Sequence, residues 1–545
     1  MTNYNKKNKI KRIEKRIFFT MLFIYAFLVI FYVTRNLENI GKYEFKSIII
    51  LIFILMLILQ FFIFYKKLKI EKMFILIASI LGIVIIFALP PLQGPDERVH
   101  MVRSYDLAKG RVFFTGSEDA LLLPASMEEY TTKIHHIKMA SNINEKITKE
   151  QYKVAKKILL NKELLWQYDA DKTESYSTIA YIPQALGMFI GDLFNLNFHY
   201  VFMLGRFVNF IFWLTICYIA LKIMPIKKEL MMFVILMPIS MQQAVTLSPD
   251  AMLNSFSFLL IAYILNIKYK KKNFKIKNFI VIVLLCIGIV SVKLPYVLIS
   301  AMILTIPKEK FKGKNTITKV RAFFLIIFIG FSTFFLWTKL SEPLKTEDEI
   351  KITEYQRQVL IKEHKPLRVG PPKEESDDSV GYVYTIKQIV FHPIEFTKLV
   401  YRTIKMQGVY YIKTFVGYFG WLNAIAPNYI IILSSITFIF LILNKSGKYN
   451  LKLWDRFIYF SIGGVLILIL FILLYKWNGA DYTKVKYFVG SIQGRYFYPF
   501  IIPIMLSLSF DKLKVNLKKI SWLIPSISIF ILTICSNVIL IRYWI

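Results

Sequence analysis

The constraint that most limits the fold of this chain is its series of apolar runs, each long enough or nearly long enough to cross a membrane. About twenty apolar residues span the hydrocarbon of a bilayer, and on that measure we count about thirteen runs. Hydrophobic residues make up 56% of the 545 residues. We therefore predict an all-α integral membrane protein, a polytopic bundle forming a single domain over residues 1–545. The approximate limits of the predicted spans are 17–33, 47–65, 73–90, 200–222, 229–247, 250–267, 277–292, 295–306, 322–339, 428–444, 457–475, 494–510 and 520–541.

The charge of the chain is distributed as expected for a multi-pass protein. The formal net charge is +35, and the Lys and Arg residues collect in alternate short connections such as "KKLKIEK", "KYKKKNFKIK" and "NKSGKYNLKLWDR". The positive-inside rule then puts the N-terminus in the cytoplasm and the C-terminal "RYWI" outside. The first run is interpreted as a retained signal anchor, since no small-residue cleavage site follows it. This distribution implies no nucleic acid partner.

The same topology places two long polar segments outside, at about 91–199 and 340–427. The first contains amphipathic patterns and the aromatic stretch "SYSTIAYIPQALGMF". The second opens with "HKPLRVGPPKEESDDS", and after it we expect amphipathic helices lying at the membrane surface. Cys217, Cys286 and Cys535 all fall in predicted spans without metal-ligand spacing, so no metal site is predicted.

The stretch "LPPLQGPDERVHMVRSYDLAKG" concentrates charges where the third span ends. Asp96, His100 and Arg103 follow each other at four and three residues and so share one helix face. Pro95 also suits a helix start, and carboxylates at 96 and 97 favour the helix dipole, so capping is one explanation. The other is a substrate site, because ionisable groups at a membrane boundary are costly and mark substrate paths. On that interpretation Asp96 is the first candidate for a catalytic carboxylate and Glu97 the second.

A similar arrangement occurs in "TLSPDAMLNSF". Asp250 follows Ser248 and Pro249 at the start of a span, where capping is again an explanation. Asn254 lies one turn further along the same face, so the alternative is a polar pocket within the outer leaflet.

Three cations complete the set of charged candidates. Lys293 and Arg495 lie at outer ends of spans, where a long side chain can simply reach the headgroups. Gln493 lies two residues before Arg495. Arg206 lies inside the fourth span and requires an anionic partner. A lipid phosphate would satisfy such cations, and a carboxylate beside it could take the proton from an incoming hydroxyl.

Seven motifs connect the chain to a family. In order they are "PPLQGPDERVHMVRSYDLAKG", "AYIPQALG", "GRFVN", "PISMQQAVTLSPDAMLN", "KLPY", "GYFGWLNAIAP" and "IQGRYFYPF". They resemble the bacterial family designated domain of unknown function 2142 over roughly residues 75–510. The chain departs from the commoner pattern at Pro249, where a Tyr often precedes the Asp, and at Asn423, where an Asp is frequent. From these motifs we add Gln243, Tyr296, Trp421 and Tyr496 to His100, Arg103, Arg206, Asp250, Asn254, Lys293, Gln493 and Arg495 as candidate substrate-binding residues.

The family looks similar to GT-C membrane glycosyltransferases, which place an acidic residue in the first large outer loop. The resemblance implies a GT-C-like fold in the bacterial cell membrane. It also implies transfer of a sugar from a polyprenyl phosphate to a cell-envelope glycan or glycolipid on the outer face. Membrane lipids are further partners, and a divalent ion stays open as cofactor. Two alternatives remain: a transporter or flippase of lipid-linked glycans, and a non-catalytic scaffold of an envelope-synthesis complex.

Overall fold

The structure is a computed structural model that describes most of the chain. The described residues are 2–35, 43–113, 120–169, 176–311, 318–341, 391–444, 451–477, 488–509, 513, 515–517 and 520–544. The Pro-rich acidic stretch of the second polar segment lies outside them, as do all residues from 342 to 390.

The protein is predominantly helical, as predicted for an all-α polytopic membrane protein. The first part of the chain forms α1 (Thr2–Arg35), α2 (Tyr43–Lys66), α3 (Ile70–Ala88), α4 (Glu97–Ala108), α5 (Ala125–Lys133), α6 (His136–Ser141), α7 (Lys149–Lys156), α8 (Ile182–Leu193), α9 (Phe198–Ile223) and α10 (Lys228–Ile235). The remainder forms α11 (Pro238–Ala244), α12 (Asp250–Tyr269), α13 (Ile276–Val290), α14 (Lys319–Leu340), α15 (Pro393–Val416), α16 (Asn428–Leu443), α17 (Leu453–Trp477), α18 (Ile501–Ser507) and α19 (Leu523–Tyr543). Segments of 3₁₀ helix occupy Thr178–Tyr181, Leu294–Thr305, Lys308–Phe311 and Gly494–Phe500.

Not every predicted span is a full-length helix. Within the described ranges, eight helices are long and apolar enough to cross a membrane: α1, α2, α3, α9, α12, α14, α17 and α19. The segments 276–290, 294–305 and 428–443 are apolar but shorter. The predicted span 229–247 is divided into α10 and α11 at Pro238, and the span 494–510 begins as a 3₁₀ segment containing Pro499. Proline lacks the amide hydrogen that a continuous helix needs, which explains both divisions.

The described residues also form two antiparallel strand pairs. β1 (Ala120–Pro124) pairs with β2 (Leu165–Asp169) in the first polar segment, with Leu122 opposite Gln167. β3 (Tyr418–Phe419) pairs with β4 (Ala424–Ile425) just after α15. The loop between β3 and β4 contacts the first polar segment, because Asn423 donates to the carbonyls of Met139 and Ala140 at 3.0 and 3.2 Å.

The last long helix, α19, lies at the centre of the molecule. Its most apolar stretch is fully buried, whereas that of α1 is mostly exposed. It packs against α2 and α3. A hydrophobic helix that is buried all round belongs to the core of the bundle rather than to its lipid-facing rim.

Lysines at one end of the bundle bind the carboxyl ends of helices. Lys310 donates to the carbonyls of Ile267 and Lys268 at 2.8 and 2.7 Å, and Lys319 donates to Leu304 at 2.7 Å. Cations are favourable at helix carboxyl ends, where the last carbonyls lack intrahelical partners. Lys310 and Lys319 belong to a basic connection that the sequence predicts to be cytoplasmic. Both therefore bind unpaired carbonyls at helix carboxyl ends.

Candidate active site

The connection from α3 to α4 holds the first candidate carboxylate in an unusual conformation. Leu92 and Asp96 have positive φ angles of 64° and 59°. Residues with a side chain rarely adopt this left-handed region, and doing so costs about 1–3 kcal/mol. The Asp96 side chain forms no cap hydrogen bond with any described amide of α4. Capping therefore does not account for Asp96.

The Asp96 carboxylate instead faces a cation from the far end of the chain. It is 46% exposed, and its Oδ2 lies 3.2 Å from Nη2 of Arg495. Arg495 is itself only 12% exposed. The pair joins the start of α4 to the 3₁₀ segment at Gly494–Phe500.

Glu97, the neighbouring carboxylate, has a different environment. It is buried and accepts bonds from Arg206 Nε at 2.8 Å and Nη2 at 2.7 Å. It also accepts from the amides of Gly94 at 3.1 Å and Leu247 at 3.0 Å. With both oxygens bonded and no exposure to solvent, Glu97 fits a structural role better than the catalytic one that the sequence analysis allowed.

Arg206 is the main partner of Glu97, and we call this buried ion pair the Glu97–Arg206 clamp. Besides Glu97, it donates to the carbonyls of Leu89 at 2.8 Å and Pro90 at 3.0 Å. These are carbonyls freed where α3 ends. The anionic partner that the position requires is therefore Glu97, and we assign Arg206 to the support of the Asp96 turn rather than to a substrate phosphate.

A second cluster is centred on Asp250 at the start of α12. Its Oδ1 lies 2.9 Å from Lys293 Nζ, and its Oδ2 accepts from Gln243 Nε2 at 2.9 Å. Asn254 in turn donates to Gln243 Oε1 at 2.9 Å. Asp250 is thus bonded on both oxygens, and the structure gathers the candidate residues Gln243, Asn254 and Lys293 into one cluster with it.

The ring of Tyr496 joins the two clusters. Lys293 Nζ lies 5.2 Å and the Arg495 guanidinium 5.3 Å from its centroid, both within range of a cation–π interaction. Tyr296 donates to the Tyr496 carbonyl at 2.9 Å and holds this residue in place. Two cations and two carboxylates are therefore gathered around one tyrosine.

Two polar atoms in this region have no hydrogen-bond partner among the described residues. They are Nε of Arg495 and Oε1 of Gln493, both buried. Buried polar atoms of a folded protein are nearly always bonded. A polar ligand could bond to this donor on Arg495 and this acceptor on Gln493, two residues earlier in the chain.

His100 lies on the same face of α4 as Asp96. Its Nδ1 lies 2.9 Å from the hydroxyl of Tyr181, and its ring packs edge-on against Tyr176. Burial lowers the pKa of His100 from 6.5 to about 4, although the nearby carboxylates Asp96 and Asp250 act to raise it. The imidazole is therefore neutral at pH 7.

Tyr176 and Tyr181 are site residues that the sequence pattern does not predict. Both belong to the aromatic stretch "SYSTIAYIPQALGMF". Burial raises the pKa of both tyrosines, so both remain protonated. Nothing in the sequence pairs them with His100, because the contact joins residues 81 positions apart.

Two further candidates lie away from the charged cluster. Arg103 is fully buried and forms an ion pair with Asp106. It also donates to the carbonyl of Val112 at 2.8 Å, so it fixes the position of the segment that follows α4. Trp421 lies in the loop between β3 and β4 and donates to the Leu92 carbonyl at 3.4 Å. It touches the turn that carries Asp96 rather than the cations.

The donor set does not resemble a metal centre. Among the described residues, no group of three or more His, Cys, Asp or Glu side chains could hold a metal ion. Asp96 and Asp250 each face a cation instead. The arrangement suits an anionic ligand with a hydroxyl group nearby, since Arg and Lys can bind the anion and Asp96 can accept a proton.

Comparison with curated proteins and with solved structures produced no match. A family model described as predicted membrane protein (DUF2142) matches residues 79–505. This range includes the Asp96 turn, the Asp250 cluster and Arg495, and it covers most of the chain. The chain belongs to this DUF2142 family of membrane proteins.

Proposed function

We propose that the protein is a membrane glycosyltransferase that moves a sugar from a polyprenyl phosphate to a glycan or glycolipid acceptor at the outer face of the membrane. The observation that carries the proposal is the Asp96 carboxylate. It is half-exposed, is held in a strained backbone conformation without capping α4, and lies beside Arg495. Strained residues that their surroundings hold in place cluster at active sites.

Each group then has a defined role in the transfer. The acceptor hydroxyl oxygen attacks the anomeric carbon of the sugar and loses its proton to Asp96. The bond from that carbon to the phosphate oxygen breaks, and the phosphate leaves with the electron pair. Arg495 and Lys293, gathered by Tyr496, stabilise the negative charge that develops on the leaving phosphate.

The distribution of charge along α12 favours this proposal over a transporter or flippase. The Asp250–Lys293 pair lies at the start of the helix, and the Lys268–Asp455 pair lies near its other end. No Asp, Glu, Lys or Arg occurs between positions 250 and 268, about 27 Å of helix at 1.5 Å per residue. A path for a charged headgroup along this helix would require ionisable groups over this length, whereas its polar side chains here, such as Asn254 and Ser257, are uncharged.

The test uses membranes containing the protein, a polyprenyl phosphate carrying a radiolabelled hexose, and endogenous acceptors. Asp96→Asn keeps the shape of the side chain and should lower transfer by about 10²- to 10⁴-fold, the range for loss of a general base, while donor binding changes little. Arg495→Ala should weaken both donor binding and transfer.

Glu128→Gln provides the matched control. Glu128 is also a partly exposed carboxylate paired with an arginine, Arg98, at 2.7 Å, but it lies outside the charged cluster. This variant should transfer sugar like the native protein. Full activity of Asp96→Asn would refute the assignment of the base, and donor binding unchanged in Arg495→Ala would refute the phosphate site.

A further inference from the structure

Helix α8 exposes a continuous apolar face within a segment that the sequence analysis placed wholly outside the membrane. Ile182, Leu186, Phe189 and Leu193 recur at four, three and four residues, so they share one face. Their exposed fractions are 53%, 51%, 47% and 62%. An exposed stripe of large apolar side chains on a folded protein marks a surface that contacts something other than water.

The segment around this stripe carries no charge. Positions 176–191 contain no Asp, Glu, Lys or Arg. The first charge after this stretch is Asp192, which pairs with Lys109 at 2.6 Å and Lys162 at 2.9 Å; the last one before it, Glu174, lies outside the described residues. Among the described residues, charged groups therefore gather at the carboxyl end of α8, and the apolar face extends from them toward Tyr181.

α8 lies antiparallel along α9, which is itself a candidate membrane span. A Cβ atom placed on Gly187 would lie 2.3 Å from the Leu204 carbonyl oxygen, and one on Gly191 would lie 2.9 Å from the Val201 Cα. The pairs 187 with 204 and 191 with 201 run in opposite directions along the two helices. Small residues spaced by four allow this close approach, as in helix pairs within membranes.

We propose that α8 is a re-entrant helix embedded in the outer leaflet, with its apolar face covered by the hydrocarbon chains of bilayer lipids. A lipid occupant is favoured by two observations. The stripe lies on a helix that packs along the candidate span α9, and it ends at the charged cluster of Asp192, Lys109 and Lys162, as expected for a segment that ends at the headgroups. The non-helical backbone at its buried end is bonded to protein. The amide of Ser177 donates to the Ser291 carbonyl at 2.8 Å, as a chain at membrane depth requires.

The position of α8 also bears on substrate access. This consequence rests on the proposed glycosyltransferase function, whereas the proposal that α8 is embedded in the membrane does not. The deep end of the helix follows directly on Tyr181, which bonds His100, and Ser291 is two residues from Lys293. A hydrocarbon-tailed phosphate could therefore reach the cations along α8 without leaving the bilayer.

The test places a fluorophore on the stripe and asks what quenches it. Leu186→Cys and Phe189→Cys are made separately in a chain whose native cysteines, Cys217, Cys286 and Cys535, have been replaced, and each is labelled in detergent with a thiol-reactive nitrobenzoxadiazole dye. The labelled proteins are reconstituted in phosphatidylcholine vesicles with or without brominated acyl chains. Ser141→Cys, on an exposed position of α6, is the control.

Brominated lipid should quench the dye at positions 186 and 189 several-fold more than the dye at position 141. Iodide added to the buffer should quench the dye at positions 186 and 189 several-fold less than the dye at position 141. Strong iodide quenching on α8 would show a water-exposed face and overturn the proposal. Protection from both quenchers would show that protein covers the stripe, and would overturn it equally. Leu193→Cys replaces either variant if that variant does not give a monodisperse protein.

Discussion

At the scale of single residues, adjacent carboxylates have opposite environments. Glu97 is buried against Arg206 and two backbone amides, whereas Asp96 is half-exposed and faces Arg495. The turn around Asp96 holds two residues in the left-handed region, so it needs external support. The Glu97–Arg206 clamp supplies that support by binding the carbonyls of Leu89 and Pro90.

We therefore expect Glu97→Gln to destabilise the protein by about 3–5 kcal/mol, because it leaves the guanidinium of Arg206 buried without its counter-charge. Asp96→Asn, one position earlier, should change stability less, because the Asp96 side chain is half-exposed and Arg495 also lies near a second carboxylate, Asp250. Thermal unfolding of both variants in detergent measures the difference. Equal midpoints for Glu97→Gln and the native protein would contradict the structural role of the clamp.

His100 gives a prediction about pH. Its pKa is about 4 in the folded protein and about 6.5 when unfolded, so the unfolded chain binds the extra proton between these values. The contribution of the neutral imidazole to stability is therefore complete above pH 6.5 and is lost as the pH falls toward 4. At most it amounts to about 3 kcal/mol, at 1.36 kcal/mol for each unit of pKa.

The comparison variant is His100→Gln, which keeps a hydrogen-bonding group toward Tyr181 but does not titrate. The native protein should lose stability more steeply than this variant between pH 6.5 and 4.5, as followed by thermal unfolding at each pH. Parallel curves for the two proteins would show that His100 is not held neutral by burial.

At the scale of elements, the α8–α9 pair depends on two backbones approaching closely. Gly187→Ala should be destabilising, because the new methyl group would lie 2.3 Å from the Leu204 carbonyl oxygen. To relieve this clash the backbone of α8 or α9 would have to move. Gly464→Ala is the control within another long apolar helix, α17, where nothing lies within 4 Å of the added carbon. There the better helix propensity of Ala should leave stability unchanged or raise it by up to about 1 kcal/mol.

Thermal unfolding of the two glycine variants, side by side, measures this effect. A Gly187→Ala protein as stable as Gly464→Ala would mean that α8 does not pack on α9 as the structure has it. The re-entrant position of α8 would then lose its structural basis, whatever the result of the quenching experiment.

At the scale of the whole molecule, the lysine-rich end and the Asp96 end are predicted to lie on opposite sides of the membrane. Ser141→Cys should react with a membrane-impermeant thiol reagent in intact cells. Lys272→Cys, exposed beyond the carboxyl end of α12, should react only after permeabilisation. The reverse pattern would invert the topology and move the candidate active site to the cytoplasmic face.

The apolar runs and the polar site motifs could be predicted from the sequence because each is a local pattern. The division of 229–247 at Pro238 does not follow from the apolar pattern, because the run around this proline is hydrophobic on both sides. The partner of Arg206 could not be predicted either, because Glu97 lies 109 positions away and only the fold brings them together. Equally, the twelve residues of α8 are too few for a complete span, so a count of spanning runs leaves this helix within the outer segment 91–199.

The most direct test of the account is a structure of the protein determined with a polyprenyl phosphate bound in a lipid bilayer. The phosphate should lie within hydrogen-bond distance of Arg495 and Lys293, with Asp96 freed from Arg495 and facing the space where an acceptor hydroxyl would enter. A phosphate bound instead at the lysine-rich end, in the cleft lined by Lys271, Lys272 and Asn278, would contradict the central claim.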